Sequence, residues 1–218
     1  MTFCLTTEII EPKNNSSINN AIILLHGYGG DGKDISTLTL NWKRFLPNTI
    51  FLCPNGHESC PINPDGFQWF DLTKDDPKYI LEQSKKGEKK IIKFINEVKF
   101  KYNLKNSQIC LLGFSQGCMM SINLGLISDE NYNCVVGFSG KIINQEDLKK
   151  RKTSSTKMLL LHGDLDTVVP PTFLLEAKDF LIRNKIEIVT NMIKNCEHNI
   201  PVEASSISLD YIKNNFKI

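Results

Sequence analysis

Gln108-Ile-Cys-Leu-Leu-Gly-Phe-Ser-Gln-Gly-Cys-Met-Met-Ser-Ile-Asn-Leu-Gly-Leu126 holds the reading on which the fold turns. An apolar run of strand length, Gln108–Leu112, ends at Gly113, and an apolar helical stretch begins just after Ser115. A serine in so sharp a strand-to-helix turn needs small residues two places before and two after it, and Gly113 and Gly117 provide them. Taken alone, Gly-x-Ser-x-Gly arises by chance in roughly one chain of this length in fifteen. Its place between strand and helix is what makes Ser115 a candidate nucleophile. The helix start also offers free N–H groups, that of Gln116 first, where negative charge would develop.

Working outward, the same alternation recurs. Further strand candidates are Phe3–Ile10, Ala21–Leu25, Thr49–Cys53, Cys134–Phe138, Lys157–Leu161 and Glu187–Met192, several of them unbroken apolar runs suited to burial on both faces. Ile91, Ile92, Ile95 and Val98 repeat at one-face helical spacing, as do Phe173, Leu174, Ala177, Phe180 and Leu181; a last helix is predicted near Ala204–Phe216. The polar patch Asn14–Asn20 reads as a loop. This βαβα order implies a doubly wound, three-layer α/β domain whose chemistry sits beyond the carboxyl ends of the strands.

Three other loops lie at such ends. Leu24-Leu-His-Gly-Tyr-Gly-Gly-Asp-Gly32 is rich enough in glycine to turn its N–H groups toward a substrate oxygen, and it lacks the GxxxxGK[ST] pattern of a phosphate loop. His26 there is read as holding the loop. His162-Gly-Asp-Leu-Asp-Thr-Val-Val-Pro170 offers two carboxylates after the serine; Asp166 is taken as the orienting acid, with Asp164 left to satisfy loop amides. Asn195-Cys-Glu-His-Asn-Ile-Pro201 supplies His198, the histidine that follows both the serine and the acid at a strand end. His57 comes before the serine, in a Pro/Asn/Gly loop, so it falls in the wrong order.

Composition removes other classes. With 41% hydrophobic and 23% charged residues, the 218-residue chain is ordinary for one globular domain. Its 26 Lys and Arg against 24 Asp and Glu leave +2, so no nucleic-acid partner is expected. Seven cysteines without a CxxC pair, and histidines at no metal-ligand spacing, imply a reducing compartment and no metal or cofactor. No signal-peptide pattern opens the sequence and no apolar run nears the eighteen or so residues of a bilayer span, so a cytoplasmic location is expected.

Taken together, Leu25-His-Gly-Tyr-Gly, Pro54-Asn-Gly, Gln68-Trp-Phe-Asp71, Gly113-Phe-Ser-Gln-Gly117, His162-Gly-Asp-Leu-Asp-Thr-Val-Val-Pro170 and His198 resemble the carboxylesterase/phospholipase family of α/β-hydrolases, which includes the acyl-protein thioesterases. The resemblance runs from about Ile22 to Pro201 and implies an α/β-hydrolase fold; the chain length predicts one domain over residues 1–218, and the lack of a long insertion among the later strands predicts no large cap. The resemblance also implies cleavage of carboxylic esters or thioesters through an acyl-enzyme, with Ser115 as nucleophile, Asp166 and His198 as its partners, and the amides of Tyr28 and Gln116 as oxyanion donors. It also places Trp69 and Phe70 beside an acyl pocket. Two positions depart from the family pattern: Glu197 precedes the histidine, where Gly is often near, and Tyr28 stands where many relatives have Leu. The expected partners are small or lipid-like acyl substrates, acylated protein among them, for a monomer or homodimer. A noncatalytic binding module and a small serine peptidase are the alternatives.

Overall fold

The computed structural model describes residues 2–12 and 17–218. The chain opens with β1 (Thr7–Ile10), β2 (Asn20–Leu25), two short helices α1 (Gly32–Ser36) and α2 (Thr39–Trp42), and β3 (Thr49–Pro54). A hairpin of β4 (Glu58–Cys60) and β5 (Asn63–Gln68) precedes the long α3 (Pro77–Tyr102). From there strands and helices alternate: β6 (Ile109–Phe114), α4 (Gln116–Ile127), β7 (Cys134–Phe138), α5 (Gln145–Arg151), β8 (Met158–Gly163), α6 (Thr172–Arg183), β9 (Ile188–Ile193) and α7 (Val202–Phe216).

Seven strands form the central sheet in the order β1-β3-β2-β6-β7-β8-β9, every pair parallel except β1 with β3. The apolar runs of β2, β3, β6, β7 and β8 are buried almost throughout, as parallel strands with both faces covered must be. Strand alternation divides them between two cores. Ile23, Leu25 and Leu111 face α3, α4 and α6, while Ile22, Leu24 and Leu112 face Ile35 of α1, Trp42 of α2 and Ile212 of α7. The result is the three-layer α/β-hydrolase sandwich, with no large cap inserted.

The first strand is shorter than Phe3–Ile10. β1 pairs Thr7 with Pro54, the last residue of β3, and after Asn55 the partner chain turns away at Gly56. Residues before Thr6 therefore have no ladder to join. Phe3 instead packs edge-on against Phe94 of α3, ring centroids 5.1 Å apart, and the Cys4 N–H donates to Glu97. Of the polar patch Asn14–Asn20, residues 14–16 lie outside the described residues, 17–19 are irregular, and Asn20 already belongs to β2. The remaining strands begin within a residue of expectation, the usual scatter at element ends. The hairpin and the helices α1, α2 and α5 were not anticipated from sequence.

A buried charge ties three helices on one face. Glu88 of α3 accepts from both terminal nitrogens of Arg151 (2.8 and 3.1 Å) and from Asn123 of α4 (2.9 Å), while Arg151 Nε also reaches Asp147 (2.6 Å). Arg151→Met should cost about 3 kcal/mol, because it strands a buried carboxylate, and the Arg151 side chain is only 28% exposed. Urea unfolding at neutral pH measures it. Glu88→Met with Arg151→Met should recover most of the loss; a single variant within about 0.5 kcal/mol of wild type would show that the pair carries no stability.

Candidate active site

Ser115 joins β6 to α4 with φ 52° and ψ −115°, a conformation that L residues rarely hold. Its backbone is pinned: its N–H donates to Phe138 O (2.8 Å) and its carbonyl accepts from Met119 (3.1 Å). The flanking glycines are required by close approach. A Cβ on Gly113 would fall 2.2 Å from the Gly117 backbone, and one on Gly117 would fall 2.0 Å from Leu25 O. The turn thus presses β6, α4 and the end of β2 together and leaves the Ser115 side chain at the floor of a cleft.

Asp166, buried in the loop after β8, is aimed by its own chain. One carboxylate oxygen accepts the N–H groups of Val168 (3.0 Å) and Val169 (2.8 Å); the other lies 2.8 Å from His198 Nδ1 and 3.4 Å from His162 Nε2. Burial pushes this carboxyl upward, but the His198 hydrogen bond and the Val169 amide outweigh it and hold it below the ordinary carboxylate range, with Ser139 contributing. An ionised Asp166 can only accept, so His198 carries its proton on Nδ1 and keeps Nε2 open as an acceptor. The His198 ring lies 4.8 Å from that of Phe114, the residue before the serine. Asp166 is the hydrogen-bond partner of His198 among the described residues.

The loops bearing Asp166 and His198 are joined main chain to main chain. Asp164 N–H donates to Ile193 O (3.0 Å), Leu165 N–H to Cys196 O (2.9 Å), and the Asp164 carboxylate accepts the Cys196 N–H (3.2 Å). Gly163 allows the contact, since a Cβ there would meet Cys196 O at 2.2 Å. Glu197 is exposed, and its carbonyl accepts the Asn199 N–H (2.9 Å). His162, also buried, donates to Val169 O (2.7 Å), and burial lowers its pKa.

His26 braces the glycine loop as a neutral ring. Nδ1–H donates to Gly27 O (2.7 Å) and Nε2 accepts the Gly56 N–H (2.8 Å), a tautomer set by the two partners, while burial lowers its pKa. The loop gains two bonds from β5, Gly29 N–H to Phe67 O and Phe67 N–H to Gly30 O, both 2.9 Å. The amides of Tyr28 and Gln116 donate to no backbone carbonyl in a turn, loop or cap among the described residues. Both residues line the cleft, of about 340 Å³, together with Ser115.

Trp69 and Phe70 part company. Phe70 lines the cleft with Ile80, Met119, Ile143 and Phe173. Trp69 does not: it is wholly buried under the glycine loop, its ring 4.9 Å from that of His26 and its Nε1–H donating to His26 O (2.9 Å). An indole with its one polar atom satisfied inside the protein supports a loop rather than a ligand. The Gln116 side chain completes this support, accepting the Trp69 N–H and donating to Phe70 O, each 2.7 Å. Sequence reading passed over that side chain and Ser139, which follows β7 at φ 49°; the strand-terminal run Phe138-Ser-Gly140 was its one signal. Among the described residues no three His, Cys, Asp or Glu side chains group as metal ligands, and no helix is long and apolar enough to cross a membrane.

The family model of phospholipases and carboxylesterases matches residues 5–215. Acyl-protein thioesterase 1 of Emericella nidulans is 28% identical over 207 residues, 85% of this chain and 86% of its own length. Esterase YpfH of Escherichia coli is 22% identical over 197 residues, 88% of this chain and 81% of its own length. Among solved structures, esterase PE8 superposes with a TM-score of 0.91 at 30% identity, covering 96% of this chain and 98% of that one. SOBER1 of Arabidopsis thaliana, at 19% identity and a TM-score of 0.79 over 90% of this chain and 98% of its own, shares the fold. Family and fold are those of hydrolases acting on esters or thioesters, and the chain belongs to the phospholipase/carboxylesterase family of α/β-hydrolases.

Proposed function

We propose that the chain is a serine hydrolase that cleaves carboxylic esters or thioesters through an acyl-enzyme. The observation that carries this reading is the 2.8 Å bond from His198 Nδ1 to a buried Asp166, formed beside a serine held in a strained strand-to-helix turn. His198 Nε2 takes the Ser115 proton as the hydroxyl attacks the acyl carbonyl, a contact that commonly closes only once substrate is bound. The oxyanion is met by the Tyr28 and Gln116 amides, the second at the positive end of α4. His198 passes its proton to the departing alcohol or thiol. It then draws a proton from the water that attacks the acyl-enzyme, and returns that proton to Ser115 Oγ as the acyl–oxygen bond breaks and the acid is freed. Asp166 holds the tautomer throughout and offsets the imidazolium charge. The apolar walls of the cleft suit the acyl chain. Cys110 and Cys134, paired across β6 and β7 yet free thiols, fit a cytoplasmic setting, which we include in the proposal.

A fluorophosphonate probe tests this directly. Peptide mass mapping should place one adduct on Ser115, absent from Ser115→Ala; a folded sample that takes no label, or takes it elsewhere, would defeat the reading.

A further inference from the structure

The cleft that holds Ser115 has apolar walls with one cation among its lining residues, Lys141. Lys141 stands in the turn after β7, directly after Gly140, where a Cβ would lie 3.3 Å from Ser115 O, so the residue before it lies close to the main chain of the serine. Its ammonium sits 4.8 Å from the centroid of the Phe173 ring, and the residue as a whole is half-buried. Among the described residues no carboxylate oxygen comes within 4.0 Å of it and no side-chain hydrogen bond engages it, whereas Lys85 and Arg151 are both paired with acids. The acid on the same cleft is Asp75, exposed in the segment that leads into α3.

Placed there, the ammonium opposes one kind of acyl chain and welcomes another. A plain hydrocarbon chain filling the cleft would cover a charge without neutralising it, which is costly. A chain ending in a carboxylate would pair with Lys141, with its methylenes still against Phe70, Met119 and Ile143; hydrogen bonds between opposite charges are the stronger class. The Phe173 face holds the cation in place without satisfying its N–H donors. We propose that Lys141 is a specificity-determining residue that directs the enzyme to acyl groups bearing a terminal carboxylate, such as half-esters and half-thioesters of dicarboxylic acids. This rests on Ser115 being the nucleophile and on the cleft being the acyl site.

The test compares two series of 4-nitrophenyl esters with the same leaving group: half-esters from glutaryl to suberyl, and alkanoyl esters of equal chain length. At its best length the wild-type enzyme should favour the half-ester by about tenfold in kcat/KM. K141M should bring that ratio to about one, K141R should keep most of it, and K141E should invert it. A lysine that merely lays its stem on Phe173 and keeps its head in water would leave the ratio equal in wild type and K141M, and that outcome overturns the proposal. So would a wild-type preference for alkanoyl esters at every length. Turnover with an unchanged ratio sinks the Lys141 assignment alone; absence of turnover in both series, or turnover surviving in Ser115→Ala, sinks the nucleophile reading and this proposal with it.

Discussion

Ser115→Ala is expected to lower kcat for a short-chain aryl ester by on the order of 10⁶-fold, the loss seen when a nucleophilic serine is removed from a working triad. The protein should otherwise be unchanged. The bonds that shape the turn run from the Ser115 N–H to Phe138 O and from Met119 N–H to Ser115 O, and alanine keeps both. Unfolding free energy should therefore stay within about 0.5 kcal/mol of wild type. Steady-state assays beside urea melts measure the two halves of the prediction. Activity persisting in a folded variant would remove Ser115 from the chemistry; activity lost together with stability would leave the variant uninformative about mechanism and direct attention to the turn.

Asp166→Asn should reduce kcat by about 10⁴-fold with little change in KM, because the carboxylate acts on the base and not on the substrate. An amide can still accept the Val168 and Val169 N–H groups with its oxygen, which turns its NH₂ toward His198 Nδ1. The imidazole must then carry its proton on Nε2, the nitrogen meant to receive one from Ser115. Wild-type turnover in this variant would show that Asp166 does not set the tautomer. A stability signature accompanies the change. The Asp166 carboxyl binds its proton less tightly in the folded than in the unfolded chain. Its contribution to stability is thus present above about pH 4 and fades as pH falls through the lower folded-state value. Wild type and Asp166→Asn should converge in stability in that acid range, which urea titrations at successive pH values would read.

Much of this architecture was legible because one physical signal, burial on both faces, writes itself as unbroken apolar runs such as Ala21–Leu25 and Cys134–Phe138. Glycine at Gly113 and Gly117 is likewise legible, since a Cβ at either would strike main chain. Ser115, Asp166 and His198 could be placed by chain order at strand ends, and the structure brings Asp166 and His198 into contact. Other features had no such signature. The β4–β5 hairpin carries Pro61, Pro64 and Asp65, poor strand formers, and owes its form to docking on the glycine loop, where Asn63 reaches Gly29 O at 2.7 Å. The start of β1 depends on where its partner β3 ends, which no local pattern records. Trp69 and Phe70 are adjacent and both aromatic, yet only the hydrogen bond from the indole to His26 O tells which one lies under the loop. Lys141 is an ordinary loop lysine until the fold sets it beside the cleft.

The place of β2 between β3 and β6 has a consequence in time. One edge of β2 is matched by a strand that follows closely in the chain, the other only by Ile109–Gly113, beyond the hairpin and the whole of α3. During synthesis the strand waits with Ile22, Ile23 and Leu24 on a bare edge, and pairing it closes a long loop, which is slow. The central ladder of the sheet is therefore a late event, and the nascent chain carries an aggregation-prone edge until it forms, the interval in which a chaperone has most to shield.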